Sequence, residues 1–519
     1  MQSEPRNSAP PIQATIKALL CGPLLLCSLY ALTHWSALET LCEGTGDYSL
    51  LLLEIEKATR LEALTGPYSR FHMRHPAPSA SYLLAAITKF FAPTGSARGA
   101  ASLAQLLVNS LLLCAAVAAL VRLRGQIIYS LAVFYLFISL FMTLRPEGLH
   151  DIWGPSQVVI PVFCFLCSAP LIIQRRLEWS FWFVASAVLA LSSHLGTVAI
   201  VAPVLVMCAL GVPRTKIDRR EKSILSTLSI VAAILCSLAA LTPPAIDALT
   251  NNGGNLRQLI TFLASSPTSE KATGFLKAQT FLGSFISNPL GLPDWLGALL
   301  LLALAIIVAC KHVLHVSPAR VEAVVGLTAL LGAIFGAISI RGPLHQYLMF
   351  PICAVVPLLT VLCMHGRRVL KIRPAKPALL GGTLVFTLCI AISFWLSKRW
   401  EAPQTEECSD SLQPFAAHFA ISKTELLELR PVSSESWQAL ASSVYRLYRD
   451  GYRVCVPARW GFMMGEDLVC SYVKTASTSI RSFRVIDPKK RPGAMGPKVF
   501  KVGDIAWELG EAEETEPLS

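Results

Sequence analysis

One tract of the chain concentrates side chains able to do chemistry. It reads Cys42-Glu-Gly-Thr-Gly-Asp47-Tyr-Ser-Leu-Leu-Leu-Leu-Glu54-Ile-Glu56 and then Gly66-Pro-Tyr-Ser-Arg70-Phe-His72-Met-Arg74-His75-Pro-Ala-Pro78-Ser-Ala-Ser-Tyr82. Asp47 follows a glycine-rich turn and opens a leucine-rich helical stretch. That stretch is predicted to lie along a membrane surface, with Asp47 at the headgroup boundary. Four cationic or titratable groups follow, Arg70, His72, Arg74 and His75. A carboxylate beside a basic cluster at a bilayer surface suits transfer from a lipid phosphate. Guanidinium groups hold phosphate oxygens through charge-assisted, bidentate hydrogen bonds, and a carboxylate can take the proton of an incoming hydroxyl. The plain alternative for Asp47 is a helix N-cap, which aspartate fills well. Asp47 and Glu54 fall on one helix face about 10 Å apart along the axis, too far for a carboxylate dyad. Glu54 and Glu56 are expected to be solvated or paired with Lys57 or Arg60. His72 and His75 have a ligand-like spacing in a proline-rich, non-helical tract. No cofactor is expected, and a divalent metal is not indicated.

The elements that must carry this tract follow from composition. Of 519 residues, 53% are hydrophobic and 15% charged, against roughly 25% charge in soluble domains; mean hydropathy is +0.54. The bilayer must be most of this chain's solvent, which excludes a cytosolic enzyme, a disordered scaffold and a secreted disulfide domain. The expected fold is an all-α polytopic membrane protein of about eleven spans, near 14–35, 100–121, 126–144, 156–173, 179–193, 195–212, 223–242, 290–310, 321–340, 345–364 and 378–397. Most are near the length that crosses a hydrocarbon core; the fifth and sixth are short and abut at Ser193-His194, as a tight helical hairpin would. The first run is long and lacks a small-x-small cleavage site, so it reads as a span. Arg122/Arg124, Arg175/Arg176, the 214–222 cluster, Lys311/Arg320 and the 367–376 cluster mark cytoplasmic connections. The formal charge of +12 is accounted for in this way and does not call for nucleic acid. Residues 1–13 are then a cytoplasmic tail and 14–397 the membrane domain. The loops 36–99, 145–155 and 243–289 face outward, as does a small α/β domain at 398–507, helical from Trp437 to Tyr448 and strand-like from Gly451 to Val456. Residues 508–519 form an acidic, disordered tail.

The other outer loops offer fewer groups. Arg145, Glu147, His150 and Asp151 share a short turn with Trp153 and either anchor at the interface or serve a site. His194 ends a span; it caps the helix or lines a cavity. Arg257 follows Asn251-Asn-Gly-Gly-Asn255 and could hold a phosphate near a helix start or simply face headgroups. Lys271, Lys277, Arg341 and His345 are weaker versions of that idea. Eleven of the fifteen cysteines lie in or beside apolar runs as small hydrophobes, including the Cys164/Cys167 pair. Exported cysteines usually pair, so one disulfide is expected in the tail, joining Cys408 or Cys455 to Cys470, with Cys42 left free.

The acid just after the first span, followed by His75-Pro-Ala-Pro78 leading into Tyr82-Leu-Leu, resembles the first periplasmic loop of the glycosyltransferase C superfamily. Those polytopic enzymes use polyprenyl-phosphate-linked sugars. A poorly characterised bacterial subgroup is matched more narrowly by Gly66-Pro-Tyr-Ser-Arg70-Phe with His75-Pro-Ala-Pro78. Asp151-Ile-Trp153-Gly-Pro155, Ser193-His194-Leu-Gly196 and Pro243-Pro-Ala-Ile-Asp247 with Gly254-Asn255-Leu are further matches. The resemblance implies an inverting hexosyl- or pentosyltransferase of the bacterial inner membrane, active on its periplasmic face, with Asp47 as base. Arg70, His72, Arg74, His75, His194 and Arg257 would hold the donor phosphate. The acceptor would be a cell-envelope glycan, lipid or protein, in contact with membrane lipids and without nucleic acid. Many members carry a paired Asp-x-Asp or Asp-Glu where this chain has Asp47-Tyr48, which weighs against metal dependence. The alternatives are a transporter or lipid flippase for envelope precursors, and an assembly protein. No internal repeat supports a transporter.

Overall fold

A computed structural model describes residues 12–39, 41–42, 44, 46–69, 71, 73–91, 96–211, 224–251, 253–264, 274–315, 317, 319–340, 342–364, 378–400, 412–473, 480–486, 499–502 and 505–509. The chain divides into two compact units. One gathers Met1–Trp35, Gln105–Thr242 and Leu263–Glu401; the other gathers Ser36–Ala104, Pro243–Phe262 and Ala402–Ser519. This division runs differently from the expected one at residue 398, because the first loop and the tail fall in the same unit.

The first unit is helical. Among the described residues, seven helices, some of which run on into the second unit, are long and apolar enough to cross a membrane: Ile12–Glu39, Ala97–Arg124, Ile127–Leu144, Gly154–Ile173, Ile224–Thr250, Asp294–Leu314 and Arg320–Ile338. The other four expected spans fall on shorter apolar helices, Leu177–Ser193, Leu195–Leu210, Ile352–Met364 and Thr387–Ser397. Gly154–Ile173 is the central helix, with Phe163 stacked on Phe137 at 3.9 Å. Ile224–Thr250 leaves Ile224, Leu225 and Leu235 exposed. An apolar surface of that extent calls for lipid as its solvent. Helices Phe275–Leu290 and Asp294–Val308 pack backbone to backbone at Gly283 and Gly297, where a Cβ on either would enter the other helix. Small residues permit such close approach when lipid supplies no hydrophobic driving force between helices. All eleven cysteines in apolar runs are free, Cys164 and Cys167 among them.

The second unit holds the sheets. A two-stranded hairpin pairs β1 (Tyr68–Ser69) with β2 (Met73–Arg74). The tail forms a five-stranded sheet from β3 (Leu426–Pro431), β4 (Arg453–Cys455), β5 (Ile480–Ile486), β6 (Val499–Val502) and β7 (Ile505–Leu509), in the order β4-β3-β5-β7-β6. Strands β4 and β5 run parallel to β3, and β7 is antiparallel to β5 and β6. The Trp437 helix (Trp437–Arg449) crosses over from β3 to β4, as a parallel pair requires. Its apolar face buries Leu440, Val444 and Leu447. Strand β7 includes Glu508, paired with Arg484, so the sheet claims residues assigned from composition to an acidic tail.

Cys455 and Cys470 form a disulfide closing a 15-residue separation beside buried Leu426. Cys42 is also disulfide-bonded, against the expectation that it stays free; Cys408 lies outside the described residues. Loop-entropy arguments give a 15-residue loop about 3 kcal/mol. Cys470→Ser should therefore lower the unfolding free energy of the sheet unit by about that amount. Peptide mapping without reduction should recover Cys455 and Cys470 linked, and free alkylation of both would contradict the pairing.

Candidate active site

Asp47 is not the cap of its helix. Asp47–Thr59 begins after Gly46, which takes the N-cap position at φ +63° with no side-chain cap bond. That left-handed φ favours glycine, and a Cβ there would fall 3.0 Å from the Trp437 ring. Ser49 Oγ secures the turn by donating to the Gly44 carbonyl at 3.0 Å and meets Ser442 Oγ at 3.0 Å. Asp47 is thus the first helical residue, and its Oδ1 accepts a hydrogen bond from the Tyr68 hydroxyl. Its negative charge also suits a helix start.

This helix is enclosed by protein and leaves no wide apolar face exposed. Leu50, Leu52, Leu53, Ile55 and Ala58 are all buried, against the Ser79–Phe91 and Trp437 helices. Its leucines are spent on protein contacts around much of its circumference, which a sequence pattern cannot separate from lipid contact. Glu56 pairs with Arg60 at 2.9 Å, as expected. Glu54 is neither solvated nor paired with Lys57: it is buried and paired with Arg74. Lys57 is buried in turn, donating to the Met464 carbonyl and to Asp467 at 2.8 Å.

Tyr68 is positioned by a lock between segments far apart in sequence. Within the hairpin Tyr68 is opposite Arg74. Asn255 grips the second strand: its Oδ1 accepts from Arg74 N at 3.0 Å, and its Nδ2 donates to the Arg74 and His75 carbonyls at 3.0 and 3.3 Å. Asp247 holds Asn255 by accepting its backbone N–H at 2.8 Å and accepts from Asn251 Nδ2 at 2.8 Å. The Asp247 carboxylate occupies the space where a Gly254 side chain would begin, and Gly254 has φ +43°. The Asp247 and Gly254-Asn255 pattern, quoted above without a role, is therefore a clamp on the hairpin that delivers Tyr68 to Asp47.

The other expected site residues are distributed. Arg74 spends its guanidinium on Glu54, the Gly66 carbonyl at 3.0 Å and the Met463 carbonyl at 3.4 Å. His75 is buried after the hairpin, and Arg257 is exposed on the Gly254–Ala264 helix. Arg70 and His72 lie outside the described residues, as do Lys271 and Arg341. His194 belongs to the first unit, where its Nδ1 accepts from Gly196 N at 3.1 Å and caps the next turn. In that unit Arg145 binds Glu147 at 3.0 Å and Asp151 at 2.9 Å and lies 5.0 Å from the Trp153 ring centroid. His150 Nδ1 meets the Tyr30 hydroxyl at 2.8 Å. Among the described residues no three His, Cys, Asp or Glu side chains converge as a metal site would need.

Sequence reasoning passed over Tyr68, a partner of Asp47. A tyrosine two residues before Arg70 carries no signal of its own. Replacing Tyr68 by Phe removes a hydrogen bond to the Asp47 carboxylate, worth about 1–2 kcal/mol. Transfer measured in membranes from a Tyr68→Phe strain should fall roughly tenfold.

By sequence, no family model and no curated protein matches the chain. Among solved structures it is similar to the crystal structure of ArnT from Cupriavidus metallidurans in the apo state. The two are 13% identical with a TM-score of 0.52, over 93% of this chain and 97% of that one. At such identity the likeness is one of fold: a polytopic helical membrane protein with a small sheet domain. This is the architecture that the glycosyltransferase C resemblance led one to expect.

Proposed function

We infer that the protein is a membrane glycosyltransferase that moves a sugar from a polyprenyl-phosphate donor to an envelope acceptor on the outer face of the membrane. The observation that carries this reading is the Asp47 carboxylate, released from capping and held by Tyr68, in a chain whose fold is like that of ArnT. Asp47 accepts the proton of the acceptor hydroxyl as its oxygen attacks the anomeric carbon. The bond from that carbon to the phosphate oxygen breaks, the configuration inverts and polyprenyl phosphate leaves. Phosphate is a good leaving group, so the work left to the protein is orientation and charge neutralisation.

The sequence shows no internal repeat, which favours an enzyme over a transporter. The test compares envelope glycans and lipids of a deletion strain with those of the wild type. Loss of one sugar substituent, restored by the gene in trans, is expected. Unchanged glycans with lipid-linked precursors retained on the inner leaflet would instead support a flippase.

A further inference from the structure

We propose that Arg98 is an oxyanion-binding residue of this site and holds the phosphate of the lipid-linked donor; the assignment rests on the glycosyltransferase reading. Arg98 lies in the first turn of Ala97–Arg124, within the unit that contains Asp47. Its guanidinium carbon stands 3.7 Å from the centroid of the Tyr48 ring, the residue next to Asp47. Nη1 donates to the Cys42 carbonyl at 3.3 Å, and a Cβ on Gly44 would come within 3.1 Å of that nitrogen. The segment leading to Asp47 is therefore built around this side chain.

The other described arginines of the first loop are each committed to a carboxylate, Arg60 to Glu56 and Arg74 to Glu54. Arg98 has no carboxylate among the described residues, and its Nε is shut off from solvent without an acceptor. A buried donor left unmade costs free energy, of order 1–3 kcal/mol and more for a charged group. Such groups call for an explanation. Stacking on Tyr48 fixes the plane of the guanidinium, and one carbonyl fixes its rotation. The remaining N–H groups on the two Nη atoms form a preoriented fork, and the ligand whose geometry fits such a fork is a carboxylate or phosphate oxyanion. Arg98 thereby does what was expected of Arg74, whose donors are consumed within the protein.

The test uses the full-length protein in maltoside micelles, which contain no phosphate. Farnesyl phosphate is the lipid probe, farnesol its control without the anion, and inorganic phosphate the free-anion competitor. Wild type should bind farnesyl phosphate and not farnesol. Arg98→Gln keeps a donor for the Cys42 carbonyl and should weaken that binding about ten- to hundredfold. Competition by inorganic phosphate would identify an anion site open to free phosphate; failure to compete, with the dependence on Arg98 intact, would identify the lipid headgroup. Both results support the assignment. Equal affinity in wild type and Arg98→Gln would overturn it and leave the glycosyltransferase reading standing. Failure of wild type to bind farnesyl phosphate would sink the donor reading with it. If Arg98→Gln does not fold, phenylglyoxal modification of wild type decides: farnesyl phosphate should shield Arg98, and unchanged modification overturns the proposal.

Discussion

Asp47→Asn should yield a protein that inserts and folds like wild type and transfers almost no sugar. The amide keeps an oxygen to accept the Tyr68 hydroxyl but cannot accept a proton from the acceptor. General-base catalysis typically supplies about 10²–10⁴-fold, and a loss in that range is expected when labelled sugar entering the envelope fraction is normalised to expressed protein. The structural cost is small. Gly46 occupies the cap position and no side-chain cap bond is lost; the first-turn charge disappears, at about 0.3–1 kcal/mol. The other acids of this helix offer no substitute, because Glu54 is held by Arg74 and Glu56 by Arg60. Near-normal transfer by a well-expressed Asp47→Asn protein would remove the base from this helix altogether.

Arg74→Ala should unfold the second unit rather than weaken substrate binding. Both side chains of the Arg74–Glu54 pair are less than a tenth exposed, at 9% and 4%. Removing one partner leaves the other buried and unpaired, which costs about 3–5 kcal/mol. The Gly66 and Met463 carbonyls lose their donors as well. Thermal unfolding followed by tryptophan fluorescence should show the loss directly. A double variant, Arg74→Met with Glu54→Leu, removes both charges and should recover most of it, since apolar replacement of a buried pair is often neutral or stabilising. If Arg74→Ala instead melted normally and bound donor poorly, the phosphate role expected from sequence would stand and the structural one would fall.

Arg74 also shows where sequence reasoning reaches its limit. Membrane character, a mostly helical chain of apolar segments and the mixed tail unit were legible. They depend on residue type and on periodicity over short windows, and hydrophobic solvation and helix geometry act locally. The Trp437 helix and the strand after Gly451 were read from the same local pattern. A tail bridge at Cys470 was legible, with Cys408 or Cys455 open as its partner; the structure pairs it with Cys455, the nearer along the chain.

Only the tertiary structure decided which charges are free. Arg74 and Glu54 are 20 residues apart, Arg74 and Asn255 181 apart, and Lys57 and Asp467 410 apart. Nothing in a basic cluster distinguishes a guanidinium that neutralises a buried carboxylate from one that awaits a ligand, since both present the same residue type. The leucines after Asp47 could face lipid or protein, and Trp437 and its helix, nearly 400 residues later, settle that they face protein. Asp247 and Asn255 gained a role only when the fold set them against the Tyr68 hairpin. Arg98 stands out only once Arg60 and Arg74 have found their carboxylates while, among the described residues, it has none. Composition and period determine what solvent each segment needs; the pairing of polar groups is a property of the packed chain, because burial is what makes an unpaired charge costly.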